Sequence, residues 1–244
     1  MNLPARLTSL EMILYDVLYI SYLLPSDRVR PLVPSHLALD TVDDEHVFLS
    51  VVMSFVREAK AARLPSPRFT YYQVHVCTYV KHPHTGEHAT YHLHGAMTVM
   101  GAVRLARFMG MRVDFADFRI TPDRDERLRY RGYRMEGSWL GTVEVEADEI
   151  APRLDSLAPF ASPSEAVIYF TDALVTLFGG EGKVREMAVW HPRFQPRVAR
   201  VTKIAMPVLR HLGVLDAQDV ARPHNVLLVP RAHWLFHLPS RRLR

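Results

Sequence analysis

Three histidines stand on two neighbouring segments that have strand-like patterns, and their side chains are the first candidates for chemistry. His75 lies within residues 69–81, and His92 and His94 lie within residues 87–94. Because side chains alternate along a strand, His92 and His94 are expected on one face, where they would meet His75 if the segments pair as a hairpin. Imidazole binds zinc, iron or copper, but no Asp or Glu occupies an obvious fourth position. We therefore predict that the histidines line a polar pocket without a metal or other cofactor, and a three-histidine metal site is the alternative.

The segment that carries His75 has the clearest strand pattern in the chain. One face is apolar apart from a threonine, and the other is mixed, with Tyr71, Gln73, His75, Cys77 and Tyr79. Such a strand fits a barrel whose apolar face packs on a core and whose mixed face borders a cavity. The turn sequence His-Pro-His-Thr-Gly at 82–86 then leads back into the partner strand. His75 is thus the candidate general acid or base, because imidazole titrates near neutral pH.

The other elements are expected to form a curved antiparallel sheet with two main helices. Helical spacing of apolar residues predicts one helix over 95–109, which ends at Gly110. Ser162 and Pro163 indicate the start of a second helix, with an apolar face over 166–178. Further strands are predicted at 14–23, 46–57, 112–121, 127–135, 140–147, 184–191 and 225–237.

Composition restricts the possible class of protein. The 244 residues are 48% hydrophobic and 23% charged, which suits one globular domain over 1–244. No run reaches the roughly 18 apolar residues of a membrane helix, and we expect no membrane partner. The formal charge of +4 comes from basic residues spread along the chain, which argues against nucleic acid. Without an export signal, and with Cys77 as the single cysteine, the protein is expected in the cytoplasm.

Four segments together resemble the acetoacetate decarboxylase-like superfamily, and within it the uncharacterised YqjF-like branch. They are Tyr22-Leu23-Leu24-Pro25 with Val29-Arg30-Pro31-Leu32-Val33-Pro34, residues 72–80, residues 101–110, and Trp190-His191-Pro192-Arg193-Phe194. The resemblance implies an α+β fold, in which an incomplete antiparallel β-barrel encloses a small-molecule pocket and two main helices pack on the sheet. It also implies a homo-oligomer.

The chain departs from the decarboxylases where they carry a lysine pair. In those enzymes the helix ends in Gly-x-Pro-Lys-Lys, whose first lysine forms a Schiff base, whereas this chain has Gly110-Met111-Arg112-Val113-Asp114. Arginine stays protonated and offers no nucleophilic amine, so Arg112 can bind a carboxylate but cannot form a Schiff base. The family's carboxylate is also missing from Gln73-Val74-His75. A second departure is from the YqjF-like branch, which tends to carry a Thr-Glu-Arg-Tyr-like stretch where this chain has Thr171-Asp172-Ala173-Leu174. The loss of the cationic and aromatic groups suggests a larger or more apolar ligand.

The resemblance also places Arg104 and Arg112 near the pocket, where an arginine could orient a carboxylate or enolate. We predict His75 and Arg112 as the catalytic residues. The predicted substrate-binding residues are Tyr71, Gln73, Tyr79, His92, His94 and Arg104.

These residues predict non-covalent acid/base chemistry on a carbonyl or polyketide-like small molecule of secondary metabolism. Isomerisation, dehydration and cyclisation are the reaction types, so the enzyme would be an isomerase, a lyase or a cyclase. Two alternatives remain open. One is a small-molecule binding protein without turnover, and the other is a decarboxylase that uses a displaced lysine, Lys81 or Lys203.

Overall fold

The computed structural model describes residues 9–63, 65–126, 129–151, 159–160 and 162–243. The long strands are β1 (Ser9–Pro25), β3 (His46–Ala61), β4 (Phe69–Lys81), β5 (His88–Met97) and β13 (Asn225–His237). The shorter strands are β2 (Ala38–Leu39), β6 (Val113–Phe115), β7 (Asp117–Arg124), β8 (Tyr130–Ser138), β9 (Thr142–Glu149), β10 (Val175–Phe178), β11 (Arg185–Trp190), β12 (Arg197–Ala205) and β14 (Arg241–Arg242). The helices are α1 (Ser26–Val29), α2 (Met100–Met109), α3 (Pro163–Thr171), α4 (Pro207–His211) and α5 (Ala217–Val220), with a short 3₁₀ helix at Arg30–Leu32.

Seven strands form a closed ring. Their order is β11-β10-β5-β4-β3-β1-β13, and β13 pairs back onto β11. Neighbours in the ring are antiparallel except β5 and β10, which are parallel. Beyond the ring, β12, β9, β8 and β7 extend the sheet from β13. The predicted α+β fold with an antiparallel sheet and two main helices is confirmed, and the parallel pairing of β5 with β10 is a local exception to it.

The two faces of β4 contact different parts of the core. Val74, Val76 and Val80 are fully buried in one apolar cluster, together with buried side chains of β1, β3 and β8. Tyr71 and Tyr79 belong to a second cluster, which includes residues of α2 and α3. The predicted division of this strand into an apolar face and a mixed face is therefore confirmed.

Helix α2 begins five residues later than predicted, because β5 continues to Met97 before the chain turns. It ends as expected at Gly110, whose φ of 99° lets its N–H reach the carbonyls of Ala106 and Arg107.

Among the described residues, every helix is too short or too polar to cross a membrane.

The second predicted helix is correct at its start and wrong at its end. The Ser162 side chain accepts a hydrogen bond from the Glu165 backbone N–H, as a cap should. The helix ends at Thr171, however, and Val175–Phe178 forms the strand β10 between β5 and β11. The sequence Val-Thr-Leu-Phe favours a strand and pairs with neighbouring strands here. The prediction was wrong because it assigned these apolar side chains to the buried face of the helix.

The other differences concern strand boundaries. The predicted strand at 112–121 is divided into β6 and β7, and residues 127–128 of the strand predicted at 127–135 lie outside the described residues. Strand β12 and the two-residue strands β2 and β14 were not predicted.

Candidate functional site

Two adjoining cavities lie within the strand ring. The larger has a volume of about 530 Å³ and the smaller about 120 Å³. His75, Met111, Met187, Trp234 and Phe236 line both, so they form the boundary between the two spaces. Every strand of the ring contributes at least one side chain to the smaller cavity. The ring therefore builds two neighbouring cavities that share these residues as a common wall.

The larger cavity is predominantly apolar and rich in methionine. Helix α2 supplies Ala102, Leu105, Ala106 and Met109 to one wall. The methionines that line this cavity are Met12, Met97, Met109, Met111 and Met187. Methionine is unbranched and polarizable, so such a wall adapts to ligands of different shape. The volume lies within the range of pockets that hold small organic molecules.

His75 and His92 form a hydrogen-bonded pair at the boundary of the cavities. The Nδ1 atom of His75 lies 3.0 Å from Nε2 of His92. Gly95 makes room for this contact, because a Cβ atom there would lie 2.9 Å from His75 Nδ1 and 3.0 Å from His92 Nε2. The sequence signal for this arrangement was the hairpin pairing of the two strands, which is confirmed.

Burial keeps both imidazoles of this pair neutral at pH 7. It lowers the pKa of His75 to about 4. The pKa of His92 is also held well below its usual range, first by burial and then by repulsion from His75 and His94. The Nε2 atom of His75 makes no hydrogen bond to any described residue. A neutral ring nitrogen beside an apolar cavity is thus available to a ligand.

Two further polar atoms at the larger cavity lack partners. Gln73 is 2% exposed, and its Nε2 donates to Ser54 Oγ over 3.1 Å. The Oε1 atom of Gln73 and the Nε1–H of Trp234 are buried without a hydrogen bond to any part of the chain that the structure describes. Because an unpaired buried polar atom is costly, these two atoms are candidate contacts for a bound molecule.

His94 lies apart from the pair. Its Nε2 contacts Asp114 Oδ2 at 2.8 Å, and Trp139 donates to the same oxygen. The pairing of β4 with β5 is irregular between Val76 and Cys77, which breaks the simple alternation assumed for His92 and His94. The expected convergence is therefore found for two imidazoles and not for the third. Within the described ranges, no group of three His, Cys, Asp or Glu side chains is arranged to hold a metal ion.

The remaining predicted substrate-binding residues are divided between the cavities and the surface. Tyr71 and Gln73 line the larger cavity, and Tyr79 and His92 line the smaller one. Arg104 is exposed and lines neither cavity.

Arg112 is not brought next to His75. Its side chain is exposed, while the preceding residue Met111 lines both cavities. Both residues follow the left-handed turn at Gly110 that ends α2. A catalytic role for Arg112 stays a prediction.

The sequence favoured a core position over a pocket position for Trp234, which lines both cavities, and it did not single out the methionines or Lys60 as lining residues. Lys60 lines the larger cavity and pairs with Glu58 at 2.5 Å and Glu11 at 3.6 Å. The hydrogen bond to Glu58 raises the pKa of Lys60, so its amine stays protonated. Lys81 and Lys203, considered from the sequence, are both exposed. The alternation of Trp and Phe along β13 was the sequence signal that could have indicated the position of Trp234 on the cavity.

The neutral histidines predict a particular dependence of stability on pH. Their pKa values are lower in the folded state than in the unfolded chain, so unfolding takes up protons as the pH falls from about 6.5 towards 4. The free energy of unfolding should decrease across this window, by about 3 kcal/mol for His75 alone, and the loss should be complete below the folded pKa. Urea unfolding of wild type and H75Q at several pH values measures it, and the variant should show the shallower dependence. Identical pH dependence in both proteins would contradict the assignment.

Comparisons with known proteins agree with this architecture. The model of DUF2071, a family described as an uncharacterized conserved protein, matches residues 11–233. A search of the curated proteins finds no match. The family match confirms the branch that the sequence motifs indicated.

Several solved structures share the fold at low sequence identity. The enduracididine biosynthesis enzyme MppR, in complex with pyruvate, has a TM-score of 0.64 and 13% identity, with 100% of this chain and 92% of that chain covered. An acetoacetate decarboxylase-like enzyme from Sphingomonas wittichii RW1 has a TM-score of 0.62 and 11% identity, with 100% and 97% covered. Acetoacetate decarboxylase from Legionella pneumophila has a TM-score of 0.64 and 8% identity, with 100% and 92% covered. These similarities confirm the acetoacetate decarboxylase-like fold.

Proposed function

The chain belongs to the DUF2071 family, and we propose that it is a small-molecule enzyme in which His75 and His92 perform non-covalent acid/base chemistry on a carbonyl or polyketide-like substrate. The observation that carries the proposal is the hydrogen-bonded imidazole pair at the boundary of the two cavities. The fold is shared with acetoacetate decarboxylase-like enzymes and with MppR, whose structure was solved with pyruvate. The similarity to these enzymes supports a carbonyl compound as the ligand.

The pair can exist in two neutral arrangements. When His75 Nδ1–H donates to His92 Nε2, the other nitrogen of His75 carries a lone pair that can remove a proton next to a carbonyl. When His92 donates instead, the same nitrogen of His75 carries a proton that it can return. Isomerisation, dehydration and cyclisation through an enolate all need one proton to be removed and another delivered. The Nε1–H of Trp234, which has no partner in the described chain, can donate to the enolate oxygen.

The lining of the cavities argues against a Schiff base. Within the part of the chain that the structure describes, Lys60 is the one lysine that lines either cavity, and its ion pairs with Glu58 and Glu11 keep the amine protonated. An amine must be neutral to attack a carbonyl, so this lysine is a poor nucleophile. No cofactor is needed for the proposed chemistry.

Deuterium exchange tests the proposal without knowledge of the natural substrate. Methyl nonyl ketone in deuterium oxide at neutral pH should gain deuterium next to its carbonyl at a rate proportional to protein concentration, as measured by mass spectrometry. Acetone should exchange far more slowly, because it fills little of the apolar cavity. Binding of the longer ketone without exchange, or a reduced lysine adduct after borohydride treatment with acetoacetate, would contradict non-covalent base catalysis.

A small-molecule binding protein without turnover is the second candidate. The pKa of His75, about 4, favours it, since general bases work best when their pKa is near the working pH. In that case the ketone binds and its α-protons stay unexchanged.

We further propose that the protein acts in secondary metabolism in the cytoplasm as a homo-oligomer. The buried free thiol of Cys77 suits a reducing compartment. Phe108 is 89% exposed and Phe115 is 51% exposed, which suits a surface that a second subunit covers. Light scattering of the purified protein measures the oligomeric state.

A further inference from the structure

We infer that Gln73 makes the site selective for ligands that carry a hydroxyl group on an apolar carbonyl skeleton. This inference rests on the proposed function, since it concerns the same cavity.

The carboxamide of Gln73 is positioned for recognition. Gln73 lies opposite Ser54 in the pairing of β3 with β4, and that serine holds the amide nitrogen. The amide oxygen lacks a partner among the described residues, although the side chain is 2% exposed and lines the larger cavity. A buried amide that is held at one end and unpaired at the other needs a ligand atom to complete its hydrogen bonds.

A hydroxyl group meets this need in either orientation of the amide. The Ser54 hydroxyl can accept from the amide nitrogen or donate to the amide oxygen, so the atom left for the ligand is an acceptor in one orientation and a donor in the other. A hydroxyl both donates and accepts, whereas a ketone or ether only accepts.

The charges around the site favour a neutral ligand. Among the described residues, no Asp or Glu lines either cavity, and Lys60, already paired with Glu58, supplies a positive charge to the larger one. A free carboxylate or ammonium would lose its hydration here without gaining an opposite charge, which is costly. The methionine-rich wall is suited instead to an apolar body.

The spacing along β4 locates the hydroxyl relative to the reacting carbon. Gln73 and His75 are two residues apart on one face of the strand, which corresponds to about 7 Å. One small molecule can therefore contact both side chains, with the hydroxyl that faces Gln73 a few bonds away from the carbon that faces His75. A β-hydroxy ketone carries its hydroxyl within this range.

Binding of a matched pair of ligands tests the inference. Methyl nonyl ketone and its β-hydroxy analogue are titrated into the full-length protein by calorimetry. The wild type should bind the hydroxy ketone about tenfold or more tightly than the ketone. Gln73→Met, which keeps the length of the side chain and removes its polar atoms, should bind both ligands equally. Gln218→Met, the same substitution at an exposed position of α5, should keep the preference.

Thermal unfolding first establishes that each variant is folded, and Gln73→Leu replaces Gln73→Met if the latter is not. Equal affinities in the wild type, or a preference that persists in a folded Gln73 variant, would overturn the inference. Its failure is distinguishable from that of the proposed function, because affinity is measured without proton transfer. If the protein catalyses deuterium exchange but binds the two ligands equally, Gln73 does not determine the selectivity. If it prefers the hydroxy ketone but catalyses no exchange, the acid/base chemistry is rejected.

Discussion

Replacing His75 with glutamine is expected to lower the rate of deuterium exchange into methyl nonyl ketone by about a hundredfold or more. Glutamine can still hydrogen-bond to His92, but it has no nitrogen lone pair able to take a proton at neutral pH. The ketone should still bind, because the methionine-rich wall is unchanged. Mass spectrometry of the ketone gives the rate, and calorimetry gives the affinity.

The control for H75Q is H84Q, which makes the same substitution at an exposed histidine in the turn before β5. It should exchange at the wild-type rate and unfold at the wild-type temperature. If H75Q retains the exchange, His75 is not the base, whatever its position in the cavity.

Replacing Gly95 with alanine is expected to separate the two imidazoles. The new Cβ would lie 2.9 Å from His75 Nδ1, 3.0 Å from His92 Nε2 and 3.0 Å from the backbone oxygen of Val74. The two imidazoles can move away from the new Cβ atom, which separates them. The Val74 oxygen belongs to the backbone of a paired strand, so relieving that contact strains the sheet. We expect exchange to fall at least tenfold, and the free energy of unfolding to fall by about 1–3 kcal/mol. Exchange assays and urea unfolding measure the two effects.

Gly180 offers a matched control, since a Cβ there meets nothing within 4 Å. G180A should therefore be close to wild type in both measurements. Normal exchange in a folded G95A protein would show that contact between His75 and His92 is not required for the chemistry.

The elements that could be predicted were those with strong local signals. Strands β4 and β13 were predicted with their exact bounds, because long alternating or β-branched segments end at clear turn residues. Strand β12 was missed because its sequence, Arg-Val-Ala-Arg-Val-Thr-Lys-Ile-Ala, carries charged residues on a part of the sheet outside the ring. Strand β10 was read as helix, since four apolar-rich residues can adopt either structure until a partner strand is known.

The sequence by itself determined the fold family, the strand that borders the cavity, and His75 with its neighbour Gln73 on that strand's mixed face. These follow from alternation along a single strand and from family motifs, both of which are local properties. Only the tertiary structure decided that His92 pairs with His75 while His94 turns to Asp114, because one irregularity in the pairing of β4 with β5 changes which side chains meet. It alone also placed Trp234 and Lys60 on the cavity and left Arg112 exposed. The physical reason is that the cavity is built by closure of the ring, which joins strands far apart in the chain.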